Sequence, residues 1–224
     1  NNTTGDIVAL GVESAFNNTT GANNTAIGRQ ALYNNSSSNS NVAVGKQALF
    51  NTTSASNTAV GYQAGYFNTT GDSLVAVGLF AMRENTTGLG NVVIGRQSLE
   101  NNEAGSNNVA VGREALNNNI TSFNTAVGYQ SAYTTTTGAR NESFGYRSLF
   151  LNTTGVNNAA IGYESLISNT TGSNNVALGR DSLSLAALFA SIWLLAHWNL
   201  SRQPPHHKGP GSAGYEDLAP PQAK

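Results

Sequence analysis

The side chains able to do acid-base, nucleophilic or metal chemistry are few in this sequence. Histidine occurs only at His197, His206 and His207, and cysteine is absent, so neither a thiolate metal site nor a disulfide framework can form. His206-His207 could hold a metal, but as neighbours in a Pro-rich stretch they read as solvated. No His-Glu-x-x-His pair, phosphate-cradling glycine loop or nucleophile elbow occurs. Glu13, Glu114, Glu164 and Asp181 fall at a repeat position that elsewhere holds Gln30, Gln47, Gln63 and Gln97. That pattern suits a surface ladder better than paired catalytic carboxylates. The expectation is a chain that is not an enzyme, with no catalytic residue, no metal site and no cofactor.

Two other sets of residues carry recognition chemistry. One row follows a recurring glycine and includes Arg29, Lys46, Tyr62, Arg96, Arg113, Tyr129, Tyr146, Tyr163 and Arg180. Arg29, Tyr62, Arg96, Tyr129 and Tyr163 form a candidate surface ligand row that could stack on sugars or engage a receptor; the alternative is that long side chains merely cover a strand edge. The second set is Asn-Thr-Thr or its variants, which places N-glycosylation acceptors at Asn18, Asn51, Asn68, Asn85, Asn152 and Asn169. A turn selects the same residue types, so acceptors would arise there without modification.

What must position these rows is a repeat. An apolar tripeptide closed by glycine, as in Val42-Ala43-Val44-Gly45, recurs with closing glycines Gly11, Gly28, Gly45, Gly61, Gly78, Gly95, Gly112, Gly128, Gly145, Gly162 and Gly179. Successive glycines are 17 or 16 residues apart, and the order of spacings gives a four-repeat super-period of 67 residues. A helix pair needs more than about 30 residues per repeat, and Asn-Thr-Thr-Gly would break it. About eleven units of 16 or 17 residues fit the coils of an all-β parallel solenoid, or β-roll, over residues 1–183. At about 4.8 Å per coil the rod would be on the order of 50 Å long.

Within the tripeptide the residue before glycine is always large and apolar, as at Leu10, Ile27, Val44, Ile94 and Phe144. Two places earlier stand Val8, Thr25, Val42 and Thr58, so both positions share one face of a period-2 strand. That face is expected to line the core, together with Leu32, Leu49, Leu99 and Leu116 from a second inward segment. The residue between is almost always Ala. An outward column of small residues, among them Ala43, Ala76 and Ala110, would then be a self-association seam.

At Asn41-Val42-Ala43-Val44-Gly45-Lys46-Gln47-Ala48 and Asn108-Val109-Ala110-Val111-Gly112-Arg113-Glu114-Ala115 the chain resembles the head repeats of trimeric autotransporter adhesins. At Asn57 to Ala64 and Asn124 to Ser131 it is similar to the repeats of phage and marine microbial tail-fibre-like proteins. The resemblance covers residues 1 to about 183 and departs from the adhesin heads in its longer period, with the additional residues in the Asn-Thr-Thr-Gly turn. It implies a left-handed β-roll, a homotrimer and an extracellular, cell-surface or virion location. It also implies a structural and adhesive role in which a receptor or glycan is the partner.

Composition agrees with such a surface. Charged residues make up 10% of the chain and the formal net charge is -1, against roughly 25% charged in a typical soluble domain. Nucleic acid is therefore not an expected partner. The rival function is ice binding by stacked Thr19-Thr20, Thr52-Thr53, Thr69-Thr70 and Thr86-Thr87, an array interrupted at Glu103-Ala104. After Leu183 the repeat stops. Residues 184–200 are nearly continuous apolar sequence with Trp193 and Trp198, expected as a short helix that contacts a membrane through 185–200, caps the rod, or is foreign sequence. Residues 201–224, rich in Pro and Gly, are expected to form a disordered tail.

Overall fold

A computed structural model describes residues 5–184. Every regular element among them is a strand: β1 (Ile7–Leu10), β2 (Asn24–Ile27), β3 (Val42–Val44), β4 (Thr58–Val60), β5 (Val75–Val77), β6 (Val92–Ile94), β7 (Val109–Val111), β8 (Thr125–Val127), β9 (Glu142–Phe144), β10 (Ala159–Ile161) and β11 (Val176–Leu178). They pair in chain order into one eleven-stranded sheet. Each pair is parallel and keeps the repeat in register: Thr25 lies beside Val42, Ala26 beside Ala43 and Ile27 beside Val44. The 16-residue coils do not disturb this, since Val42 lies beside Thr58. A parallel strand that always returns beside its predecessor is a β-solenoid, as the period implied.

The two faces of the sheet are the reverse of the expectation. Ala43 and Ala110 are 0% exposed and Ala76 is 1% exposed. The large flanking residues lie outside, with Val60 at 37%, Ile94 at 43% and Ile161 at 44% exposure. The alanines therefore cannot form an outer seam. They need to be small because the opposite wall of the same coil touches them. Ser98 Oγ donates to the Ala110 carbonyl at 3.1 Å, and Ser131 Oγ donates to Ser143 Oγ at 2.7 Å. Positions two before the glycine and three after it thus meet across a narrow lumen, which admits Ala or Ser on both sides. Leu32, Leu49, Leu99, Leu116, Leu149 and Leu166 fill the remaining space and are at most 1% exposed; a Leu buried in this way contributes about 1.5–3 kcal/mol.

Backbone conformation explains the glycines. Gly45 has φ +134°, and a Cβ there would meet the Gly61 carbonyl oxygen at 2.5 Å, because the coils stack backbone on backbone at this corner. Left-handed conformation also recurs at side-chain-bearing positions. Leu49 has φ 48°, Leu99 φ 47° and Leu116 φ 50°, each at a cost of roughly 1–2 kcal/mol that burial of the side chain offsets. Gly65 replaces Leu at the equivalent place with φ +60°, where no compensation is needed.

Two buried Asn ladders close the lumen. In one, the Asn57 backbone N–H donates to Asn41 Oδ1 at 3.0 Å, and Asn41 N–H to Asn24 Oδ1 at 2.9 Å. Most of the side-chain amides also donate forward to a turn carbonyl, as Asn91 Nδ2 does to Gly105 O at 2.8 Å, whereas Asn57 Nδ2 donates to Ser54 Oγ at 3.0 Å. In the other ladder, Asn85 Nδ2 donates to Asn68 Oδ1 at 2.8 Å. Backbone polar groups that a lumen this narrow would leave unpaired are satisfied in this way.

The expected helix across 184–200 and the tail at 201–224 lie outside the described residues, apart from Ser184 in a turn. Among the described residues no helix is long and apolar enough to cross a membrane.

Candidate functional site

The residue after each closing glycine leaves the sheet corner and points outward, so the predicted ligand row is one continuous line along the rod. Arg29 and Arg96 are exposed, Tyr129 is half-buried, and Tyr62 and Tyr163 are 36% and 42% exposed. The line divides into two parts with different chemistry.

In the later part the rings stack on one another. Tyr129 and Tyr146 lie 5.3 Å apart at 17°, and Tyr146 and Tyr163 lie 4.9 Å apart at 7°. The Arg113 guanidinium sits 5.6 Å from the Tyr129 centroid, and that of Arg180 sits 4.9 Å from Tyr163. Ring faces within the column are therefore taken up by neighbouring rings and guanidinium groups. Edges and phenol hydroxyls remain. Arg113 Nε also pairs with Glu114 at 2.9 Å, and Arg180 Nε with Asp181 at 3.4 Å. Burial pushes the Glu114 carboxyl up, but hydrogen bonds from Gln130 and Arg113 and the charges of Arg113 and Arg96 outweigh it and hold the group below its ordinary value.

The earlier part, Arg29, Lys46, Tyr62, Leu79 and Arg96, carries cations without carboxylate partners among the described ion pairs. Tyr62 lies between Lys46, whose Nζ is 5.4 Å from its centroid, and Phe80, edge-on at 5.3 Å. Alongside runs a glutamine ladder. Gln63 Nε2 donates to Gln47 Oε1 at 2.9 Å, and Gln47 Nε2 to Gln30 Oε1 at 3.0 Å. The equivalence of Glu and Gln positions in the sequence corresponds to this ladder, whose first rung is Gln30 Nε2 donating to Glu13 Oε2 at 2.7 Å.

A second aromatic stack, Phe16, Tyr33, Phe50 and Tyr66, has centroid spacings of 5.3, 5.0 and 5.1 Å. The sequence marked it by an aromatic at a fixed distance from the glycine, but the role as a stack shows only when the coils are superposed.

The glycosylation acceptors separate. Asn68, Asn85 and Asn152 are 0% exposed, and Asn18 and Asn169 are 5% exposed. Their amides are engaged inside the coil, as where Asn68 Nδ2 donates to Gly71 O at 2.9 Å and Asn169 Nδ2 to Gly172 O at 3.0 Å. A glycan on these atoms is incompatible with the folded coil. Asn51 is only half-buried, because Thr52 takes the inward place in its coil.

The threonine pairs do not make a flat array either. Thr52 is 0% exposed, while the Thr69 and Thr86 hydroxyls donate to the next coil at Thr86 O, 2.9 Å, and Glu103 O, 2.8 Å. The regular exposed array is instead the outer sheet face, where Thr25, Thr58 and Thr125 alternate with valines in a single column. Among the described residues no group of three His, Asp or Glu gathers as a metal site. Comparison with protein-family models, curated proteins and solved structures returns no match.

Proposed function

We propose that the chain is a structural and adhesive fibre segment of a cell surface or virion, assembled as a homotrimer through the outer face of its sheet. The carrying observation is that face itself. Two columns of Val, Ile and Thr run in register along eleven strands, half-exposed, with Glu142 as their one charged member. A strip about 50 Å by 10 Å offers roughly 500 Å² per chain, so a trimer closed through it would bury about 1,500 Å² in total, the extent of a standard specific interface, shared as about 500 Å² per pair of chains. Val and Ile would lose their remaining exposure there, and the seam first expected at the alanines moves to their neighbours. The resemblance to trimeric adhesin heads supports three copies, an extracellular site, and a receptor or glycan as ligand. The apolar segment at 185–200 would serve such a rod as membrane contact or cap. Electron microscopy of the full chain tests the reading: three-chain rods at least about 50 Å long support it, and isolated single-chain particles overturn it.

A second reading, ice binding, is favoured by the same face, because Thr25, Thr58 and Thr125 stand among valines in an evenly spaced parallel lattice that carries no charge until Glu142 beside Thr125. It requires the face to be free of a second copy. Thermal hysteresis at micromolar protein would establish it and displace the trimer.

A further inference from the structure

We infer that the first half of the outward row is a binding track for a linear acidic polysaccharide, one that carries carboxylates or sulfates along an extended chain. The inference rests on the fibre reading above and names the ligand class of that fibre.

Charge placement is the first argument. The chain carries a formal net charge of -1, yet Arg29 and Lys46 stand on one line with Arg96 and none of the three is in an ion pair among the described residues, although the charge of Arg96 also acts on Glu114. Between Arg29 and Arg96 neither the line nor the adjoining Gln30, Gln47, Gln63, Phe80 and Gln97 row contains a carboxylate. Acids delimit the track: Glu13 lies one coil before it, bonded to Gln30, and at its far end Glu100 accepts from Gln97 at 3.0 Å and Glu114, one coil after it, is bonded to Arg113. The track spans four coils, or about 19 Å.

Geometry is the second. Arg29 and Lys46 with Gln30, Gln47 and Gln63 stand on successive coils, about 4.8 Å apart, a spacing close to that of single sugars in an extended chain, and Arg96 with Gln97 resumes the pattern beyond the Leu79 and Phe80 coil. Each Gln amide in the ladder uses one N–H toward its neighbour and retains a second donor for hydroxyl or carboxylate oxygens. The third argument decides between polymers. Single-stranded nucleic acid binds by stacking bases on open aromatic faces, but the Tyr62 ring already carries Lys46 Nζ over it and Phe80 edge-on against it. Three cations in single file also fall short of the density that a phosphate backbone demands. Neutral glycans, which need open ring faces, are disfavoured for the same reason.

The test uses the full chain. Binding to alginate, to dextran sulfate, to neutral dextran and to a thymidine oligonucleotide would be measured by interferometry over a range of salt concentrations. The expected result is salt-sensitive binding to alginate or dextran sulfate and none to dextran. Whichever of the two binds identifies the acid as carboxylate or sulfate. The triple variant R29Q/K46Q/R96Q should lose about ten- to a hundredfold in affinity. R140Q, which removes a cation from another row, should lose less than about twofold. Equal loss in both variants, tighter binding to the oligonucleotide, or no binding by the unmodified chain would overturn the track. All three variant residues are exposed, and circular dichroism checks that they leave the fold intact. Sedimentation on the same samples reads the trimer separately, so a failed track and a failed fibre reading give different outcomes.

Discussion

At single positions the coil is governed by which side chains the lumen admits. Ala76 is 1% exposed and lies between Ala59 and Val93 in the sheet, so Ala76→Asp should destabilise by about 3 kcal/mol or more, the cost of an unpaired buried charge. Val77→Asp on the outer face should cost less than about 1 kcal/mol in a single chain. Urea denaturation separates the two, and equal losses would mean that the lumen is not where the Ala column lies. Left-handed positions give a second prediction. Ser40 (φ 59°) is exposed and occupies the place that Gly90 (φ +63°) fills three coils later. Ser40→Gly relieves roughly 1–2 kcal/mol of strain against about 0.4–1 kcal/mol of added unfolded-state entropy, so a small rise in midpoint is expected. Gly90→Ala should lower it. The depressed pKa of Glu114 gives a third. Its contribution is present above the unfolded carboxylate value and is lost as pH falls through the lower folded value. Denaturation of Glu114→Gln should therefore show a weaker loss of stability in acid than the parent chain does.

At the scale of the coil, the Asn-Thr-Thr turn is a structural device first and an acceptor sequence second. Expression in cells that N-glycosylate should yield a folded fraction modified at Asn51 and unmodified at Asn68, Asn85 and Asn152, as read by peptide mass spectrometry. Folded chain with a glycan at Asn68 would contradict the inward ladder. The turn also accounts for the shorter coils. At Ser54 and Thr121 the glycine of the turn is replaced and one residue is lost, and the hydroxyl donates to the next turn carbonyl, at Gly71 and at Gly138. Asn119 Nδ2 then donates to Thr121 O at 2.8 Å, and Asn102 Oδ1 is left without a partner. Much of this coil was legible in the sequence. Fixed glycine spacing implied parallel in-register stacking, and the Glu-for-Gln exchange implied a ladder. The faces were not legible, because period 2 separates two sides of a strand without saying which is inside. Side-chain size, the usual guide, misleads where the opposing wall is so close that only Ala43 or Ser143 fits. Ring stacking was hidden for a related reason: Tyr146 and Tyr163 are 17 residues apart in sequence and meet only through the coil rise.

Across the coils of residues 5–184, the consequence of putting Ala inside is a sheet that presents Val and Ile to its surroundings. Such a face, continuous over β1 to β11, is larger than the scattered exposed apolar residues of an ordinary monomer, which is what the proposed assembly rests on. A second copy of the chain supplies the same columns at the same spacing, which is the match that three-fold assembly of identical rods provides. The basic track follows the closing glycine and is separated by that one residue from the second column of this face. The most direct test is light scattering on the full chain and on V60R/I94R, two outward substitutions that do not enter the lumen. The unmodified chain should have about three times its 23.3 kDa mass, and the variant, folded by circular dichroism, should be monomeric. A monomeric parent, or a variant that remains trimeric, would contradict assembly through the outer face.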